Sequence, residues 1–329
     1  MRRVSVMAPA TIANLGPGFD AIGLALEAPG DRATAERRRE PGLEFHLDDP
    51  SGAVPTAPTR NVAAHVAAAL LADERPEFGI RLTLHKRMPV GSGLGSSAAS
   101  AVAALVAVNA LLTKPRARPD LLRFAVEGER LASGAPHADN VAACLLGGVQ
   151  IILSGDPPEV VSVPFIDRIR WVVVHPATVI ETRTARRRLP GRLELADAVS
   201  QWAHVGALVA GLAAGSAARV GRALVDRVAE PARAPLIPGF LAVRQAALSA
   251  GAFGLSISGS GPSVFAVTDS DAAAGRVARA MVRAFRTEGG IPAKAWISGI
   301  NRRGALLQKL PPLQSPPSRA ELPRRRPAR

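Results

Sequence analysis

The segment Pro89-Val90-Gly91-Ser92-Gly93-Leu94-Gly95-Ser96-Ser97-Ala98-Ala99-Ser100 constrains this chain more than any other. Ahead of it, Ile80 to His85 alternates as a strand does, and a basic step follows at Lys86 and Arg87. Behind it, Ala101 to Leu112 is rich in Ala, Leu and Val and free of Gly and Pro, which predicts a buried helix. Three glycines in five residues therefore fall where a strand turns into a helix. Glycine lets the backbone take positive φ and approach a ligand closely. A helix N-terminus adds free N–H groups with a partial positive charge. Together they form a phosphate cradle, and Lys86 with two serine hydroxyls suits a metal–phosphate group. The cradle is not a Walker A loop, which needs Gly-x4-Gly-Lys-Ser/Thr and finds no lysine there. Nor is it a Rossmann turn. Ser96 stands where the third glycine belongs, and the nearest acid, Asp120, follows a Pro/Arg-rich break instead of ending a strand.

The 329 residues, 47% hydrophobic, suffice for two ordinary domains with a real core. No apolar run approaches the ~20 residues of a membrane span. Met1-Arg2-Arg3 leads straight into a strand pattern, unlike a signal-peptide core. The single cysteine, Cys144, excludes an intramolecular disulfide, and the expectation is a cytoplasmic protein. Cys144 itself reads as a small buried hydrophobe. The net charge of +14 invites a nucleic-acid reading. Its distribution argues otherwise: residues 302–329 carry eight Arg/Lys and one Glu, with six prolines from Pro311 onward, so a solvated, disordered tail supplies half of it. The other half suits an enzyme that handles anions. Aromatic content of 4%, with no Tyr, leaves little for base stacking.

Along the chain, Val4 to Ala8 reads as a strand entering the loop Pro9 to Asp20, dense in turn formers, with Asn14 and Asp20 at either end of a rigid turn. Thr59 to Ala72 predicts a helix with Thr59 as N-cap and Asn61 in its first turn. Asp120 to Ala132 predicts an amphipathic helix stopped by Ser133-Gly134. Glu129 lies near its end, where an acid opposes the macrodipole and calls for solvent or a cation. His137, Asp139 and Asn140 follow within four residues, ahead of an apolar helix that Asp139 could also cap. Gly147 to Leu153 reads as a strand, Ser154 to Pro158 as a turn, and a domain boundary falls close by. Arg183, Arg186, Arg187 and Arg188 crowd one segment, and nothing local says which points inward. Pro231 to Gly239 reads as a connection containing Arg233. Gly254 to Val267 predicts a hairpin about Gly259-Ser260-Gly261-Pro262, whose backbone N–H groups suit an anion nest. Strand, helices, hairpin, helix and strand make an α+β second domain. No repeat of 20–50 residues is present.

Three such segments in this order resemble the GHMP kinases, the family of galactokinase, homoserine kinase, mevalonate kinase and phosphomevalonate kinase. Pro89 to Ala99 resembles the family's Pro-x3-Gly-Leu-Gly-Ser-Ser-Ala-Ala signature, and Gly259-Ser260-Gly261 resembles its third. The first loop, His137-x-Asp139-Asn140 and Glu230-Pro231-x-Arg233-x3-Ile237-Pro238-Gly239 are similar to the homoserine kinase branch. The resemblance spans residues 4 to about 300. It implies an α+β, two-domain GHMP kinase fold. Residues 1–160 would be an ATP-binding domain like the second domain of ribosomal protein S5, with a left-handed βαβ crossover against the usual hand. Residues 161–304 would be ferredoxin-like, and 305–329 the tail.

The implied reaction moves the γ-phosphoryl of ATP to the side-chain hydroxyl of L-homoserine, on the route to threonine. Asp20 matches the family's ammonium-binding acid, and Arg186 and Arg233 its carboxylate-binding arginines. Arg186 is preferred because Ala185-Arg186-x2-Leu189-Pro190 fits the family pattern. Asn14, His137 and Asn140 match the remaining polar wall. Lys86 and the backbone of Pro89, Val90, Gly91, Ser92, Gly93, Leu94, Gly95, Ser96, Ser97, Ala98 and Ala99 would hold the nucleotide, with Asn61 on the adenine side. Ser97 and Glu129 would bind Mg²⁺. Asn140, Asp139, Glu129 and Ser97 would surround a direct in-line transfer, with Asp139 the acid nearest to a base role. Small-molecule substrates, no membrane and no specific nucleic acid are expected, and a homodimer is compatible. Two departures stand out: Ile12 where the family usually has Ser, and Ala138 where it usually has Pro. The rival reading is another family member acting on mevalonate, shikimate or a sugar. Mevalonate has no ammonium to meet Asp20.

Overall fold

The computed structural model describes residues 2–153 and 158–308. The expected turn at Ser154 to Pro158 falls almost wholly outside these residues, as does the tail from 309 onward.

The first half alternates strands and helices: β1 (Arg3–Ala13), β2 (Ile22–Arg38), β3 (Leu43–Asp48), α1 (Val62–Glu74), β4 (Gly79–His85), α2 (Ser96–Asn109), α3 (Leu122–Ser133), α4 (Asp139–Leu146), β5 (Val149–Ile152) and β6 (Val160–Val163). The second half runs β7 (Arg170–Pro176), α5 (Thr182–Arg187), α6 (Leu195–Ala213), α7 (Ala217–Ala223), α8 (Glu230–Arg233), α9 (Phe240–Ser249), β8 (Gly254–Ile257), β9 (Val264–Thr268), α10 (Asp271–Thr287), β10 (Ala293–Ser298) and β11 (Leu306–Gln308).

The first sheet has the order β11-β1-β2-β4-β3, with β5 pairing the early part of β2 and β6 pairing β5. Its strands are antiparallel except β3 and β4, which run parallel on either side of α1. On β4 the alternation is clean: Ile80, Leu82 and Leu84 are fully buried while Arg81 faces solvent. Small residues of β2 stand opposite them, Ala33 against Leu84 and Ala35 against Leu82. That leaves room for α2, whose run of alanines is buried almost throughout. Helix and sheet approach closely because both surfaces are small, which brings the start of α2 to the sheet edge where a ligand can reach it.

The second sheet has the order β10-β7-β9-β8, antiparallel throughout. Taken in chain order its strands are arranged 4-1-3-2 in a β-α-β-β-α-β path, the ferredoxin-like plan. Both faces are covered, so β7 reads as one apolar run. Val172 and Val174 meet α9 and α10, while Trp171 and Val173 belong to the large core shared with α6, α7 and the first sheet.

Several boundaries move. β1 runs on through Pro9 to Ala13, so the first loop begins at Asn14. α2 starts at Ser96, five residues before the apolar stretch suggests. The connection at Pro231 carries a helical turn, α8, because Pro at its second position pre-sets helical φ. The unstructured extension expected from residue 305 is corrected at its start. Ala305 is fully buried, and β11 pairs with β1, Ser5 opposite Gln308.

Candidate active site

Gly95 immediately precedes α2 in the left-handed region (φ 64°), and no side chain caps the helix. The first amides of α2 therefore lack side-chain partners and face a cleft lined by Gly95, Ser96 and Ser97. A Cβ on Gly95 would lie 2.0 Å from Thr11 Oγ1 and 2.9 Å from Asn140 Oδ1. Those two atoms hydrogen-bond each other at 2.6 Å, Thr11 donating. Gly95→Ala is expected to combine left-handed strain with this clash, destabilising by at least ~1–2 kcal/mol and weakening nucleotide affinity. Denaturant melts and ATP titration check it. Unchanged values for both would show that the loop relaxes freely.

The third glycine segment braces the second. A Cβ on Gly93 would fall 2.4 Å from Ser258 O. Ser258 Oγ donates to Gly93 O (2.7 Å), Ser263 N to Ser92 O (3.2 Å) and Gly259 N to Ala13 O (3.2 Å). With Gly261 N bonded to Ser258 O, amides expected to form an anion nest are largely committed to holding the three loops together.

Two of the expected nucleotide contacts, Lys86 and Asn61, also make internal bonds that shape the cleft. Lys86 is buried beneath the cradle, ion-paired to Asp31, and donates to Ser96 O (2.9 Å), Ser96 Oγ (2.5 Å) and Ser100 Oγ (3.1 Å). Burial pushes its pKa down while Asp31 pushes it up. It thereby fixes the loop to the helix while lining the floor of the cleft. Asp31, missed in the sequence, also accepts from the amides of Arg87 and Met88 (2.8 and 2.9 Å). Asn61, not Thr59, caps α1. Its Oδ1 accepts from Ala63 N and Ala64 N, and its Nδ2 donates to Pro55 O. It is buried behind the cleft wall formed there by Pro55, Arg60 and Val62, which it braces.

Glu129 projects from α3 into the cleft opposite the start of α2, and Ser97 Oγ donates to its Oε1 at 2.6 Å. Burial raises its pKa, and the Ser97 bond only partly offsets this. Among the described residues no Lys, Arg or His pairs with it. A buried carboxylate beside one hydroxyl, facing a phosphate cradle, fits a divalent cation that takes few protein ligands. No cluster of three or more His, Cys, Asp or Glu capable of holding a metal exists among the described residues.

The other end of the cleft, of about 670 Å³, is built from four elements. Asn14 (φ 69°) accepts from Asp20 N through Oδ1 (3.1 Å) and donates through Nδ2 to Gly259 O (3.3 Å), locking the first loop to the third. Asp20 receives two hydrogen bonds from Arg186 of α5, at 2.9 and 2.7 Å. The groups expected to grip opposite ends of a zwitterion thus face one another directly. Arg233, buried on α8, donates to Gly259 O at 2.8 Å. Both guanidinium groups also stand over the ring of Phe19, at 5.5 and 5.3 Å, a residue the sequence reading passed over. Arg186 Nε, Arg233 Nε and His137 Nε2 are buried without a hydrogen-bond partner. Three unsatisfied polar atoms around one pocket mark where a polar ligand belongs.

Of the four clustered arginines, Arg186 and Arg183 line the cleft. Asp139 opens α4, and its Oδ1 accepts from Asn140 N (2.8 Å). Burial first, then the charge of Asp20, pushes its pKa up to about 7. Sequence reasoning also missed Gln201 of α6. Its Nε2 donates to Pro17 O (2.7 Å), holding the substrate-side loop from behind.

An amide cradle facing a compact pocket of opposed charges, set between these two sheets, defines a small-molecule kinase. Residues 61–148 match the family model for the GHMP kinases N terminal domain, and residues 208–287 that for GHMP kinases C terminal. The chain belongs to the GHMP kinases. The homoserine kinase of Chlorobium phaeovibrioides is 44% identical over 317 residues, covering 93% of this chain and 99% of that protein. That of Chlorobium phaeobacteroides is 43% identical over the same coverage. The crystal structure of homoserine kinase from Cytophaga hutchinsonii superposes with a TM-score of 0.89 at 42% identity, covering 94% of this chain and 98% of that one.

Proposed function

We propose that the protein transfers the γ-phosphoryl of ATP to the side-chain hydroxyl of homoserine, releasing ADP and O-phosphohomoserine. The observation that carries this reading is the Asp20–Arg186 pair beside Arg233 in a pocket that opens on the α2 cradle. A zwitterion entering between Asp20 and Arg186 exchanges one ion pair for two: ammonium to Asp20, carboxylate to Arg186 and Arg233. A substrate with only one of these charges leaves one of these half-exposed groups, or the buried Arg233, without its partner and forfeits that contact. Asn14, His137 and Asn140 complete the polar wall. Burial holds His137 on the neutral side of its usual range, so it donates or accepts without adding charge.

Glu129 and Ser97 would hold Mg²⁺, which neutralises phosphate charge when bound. The α2 amides take the phosphates, and this chain's contribution is otherwise positioning. Asp139 receives the hydroxyl proton directly during in-line attack. A single buried cysteine and the absence, among the described residues, of any helix long and apolar enough to cross a membrane fit a cytoplasmic setting.

ADP release in the presence of homoserine, shikimate, mevalonate or galactose tests the substrate. Homoserine alone should support turnover at micromolar to low millimolar concentration. Preference for any other compound overturns the assignment.

Asp139→Asn tests the proton's destination through two readouts. If Asp139 takes the proton, kcat falls more than about tenfold, roughly 1.4 kcal/mol. The stability change has the opposite sign. The native carboxyl titrates near 7 against an ordinary 3.8, so folding is penalised progressively as pH rises from about 4 to 7. The amide never ionises, so the variant should gain stability over that window, by up to about 4 kcal/mol above pH 7. Melts at pH 4, 6 and 8 read it. Equal stability at pH 8 would mean that Asp139 is not strained by its burial.

A further inference from the structure

The segment that joins β7 to α5 spans the cleft from the glycine loops to the end of α3. A Cβ on Gly91 would lie 2.5 Å from Val179 Cγ1, so the segment rides directly on the phosphate-cradling loop. Thr182 Oγ1 stands 3.4 Å from Ser260 Oγ of the third glycine segment. The next side chain, Arg183, reaches the opposite wall. A Cβ on Gly134, just past the end of α3, would lie 3.3 Å from its Nη2. Arg183 lines the cleft together with Leu131, Ala132 and Ser133. Ser133 is one helical turn beyond Glu129, about 6 Å along the axis.

Most cations of the cleft are already engaged. Lys86 pairs with Asp31, Arg186 pairs with Asp20, and Arg233 donates to Gly259 O. Of the lysines and arginines that line the cleft, only Arg60 and Arg183 have no ion pair or side-chain hydrogen bond among the described residues. Arg60 belongs to the Pro55–Val62 wall ahead of α1. Arg183 shares α5 with Arg186, three positions on, and residues so spaced lie on one helix face. One short helix thus carries the guanidinium at the substrate pocket and a second one between the glycine loops and Glu129. An arginine beside Gly134 also suits the negative end of α3. No hydrogen bond fastens it there, so the side chain is free to turn.

We propose that Arg183 is a catalytic residue that holds the γ-phosphoryl group during its transfer, an inference that rests on the phosphoryl-transfer reading above. The acceptor oxygen bonds to phosphorus as the bond to the bridging β–γ oxygen breaks, and that electron pair leaves with ADP. Negative charge is meanwhile spread over three equatorial oxygens. The guanidinium fork donates to two of them and exchanges no bond itself. The α2 amides supply only partial charges, and Asp31 offsets the charge of Lys86. A full positive charge from the second domain completes the neutralisation. Because Arg183 and Arg186 share a helix, an acceptor that orders α5 through Arg186 also orders the group that meets the phosphoryl.

Calorimetric titration of the full chain with ADP and with β,γ-imido-ATP, each with Mg²⁺, tests this apart from activity. Arg183→Met keeps much of the side chain's stem and removes its charge. It should weaken the imido analogue about tenfold and ADP less than about twofold, since only the former carries a γ-phosphoryl. In coupled ADP release with homoserine its kcat should fall about 10–50-fold, with KM for homoserine within about twofold. Arg183→Lys should recover most of that kcat. The melting temperature should not change, because the side chain is exposed. Equal weakening of both nucleotides, a loss confined to KM for homoserine, or a kcat within about threefold of the wild type overturns the inference alone. A wild type that binds neither nucleotide overturns the phosphoryl-transfer reading with it.

Discussion

Glu129→Gln is expected to lower kcat by about 10²–10³ while leaving the melting temperature unchanged or higher. The carboxylate is buried, its pKa raised by that burial, and among the described residues only Ser97 bonds it. An ionised group so placed costs folding energy, which is tolerable where function requires the charge. Glutamine keeps the volume and a hydrogen bond to Ser97 while removing the charge. Folding then loses a penalty and the transition state loses a charge-neutralising partner, a change of about 3–4 kcal/mol in comparable electrostatic deletions. Coupled ADP release gives kcat, thermal melts give stability, and a Mg²⁺ titration should show weakened dependence on the cation. A variant with near-normal turnover would remove Glu129 from the reacting centre, and a variant that unfolds would make it structural.

Asp20→Ala should raise KM for homoserine about 100-fold and leave KM for ATP within twofold. Loss of a charged hydrogen bond to the substrate ammonium is worth up to ~3 kcal/mol, and every 1.4 kcal/mol is a factor of ten. The same substitution frees Arg186 from its partner, so the effect should fall selectively on amino substrates. Comparing homoserine with 4-hydroxybutyrate, which lacks the amino group, isolates it. The wild type should strongly favour homoserine and the variant should lose that preference. If the preference survives, the ammonium binds elsewhere.

Which features the sequence disclosed follows from the range of the interactions behind them. The strand–glycine–helix signal at Gly91 to Ser97 is local, and the cradle formed where it was expected. Glu129 was suspicious because of its place on a helix, again a local clue. Ser96 and Ser97 hid the true start of α2, since serine favours caps and turns over helix interiors in isolation. Lys86 and Asp31 stand 55 positions apart, on a loop and the neighbouring strand, and Gln201 reaches back 184 positions to Pro17. No periodicity encodes such pairs; only the packed sheet brings them together. Asn61 caps α1 where the sequence suggests Thr59, because the chain from Pro58 to Arg60 first makes a separate helical turn.

The pairing of β11 with β1 has a mechanical consequence. Residues 164–169 lead out of the first sheet, and residues 299–305 lead back, pinned by Asn301 N to Ala25 O (2.9 Å) and Ala305 N to Cys144 O (2.9 Å). The ferredoxin-like unit is therefore an insert with two covalent crossings. A single connector would leave the unit held at one end of its chain, whereas two fix it at both ends against the core it shares through Trp171 and Val173. Peptide cleavage at the outgoing crossing would leave both pieces mated through the returning one.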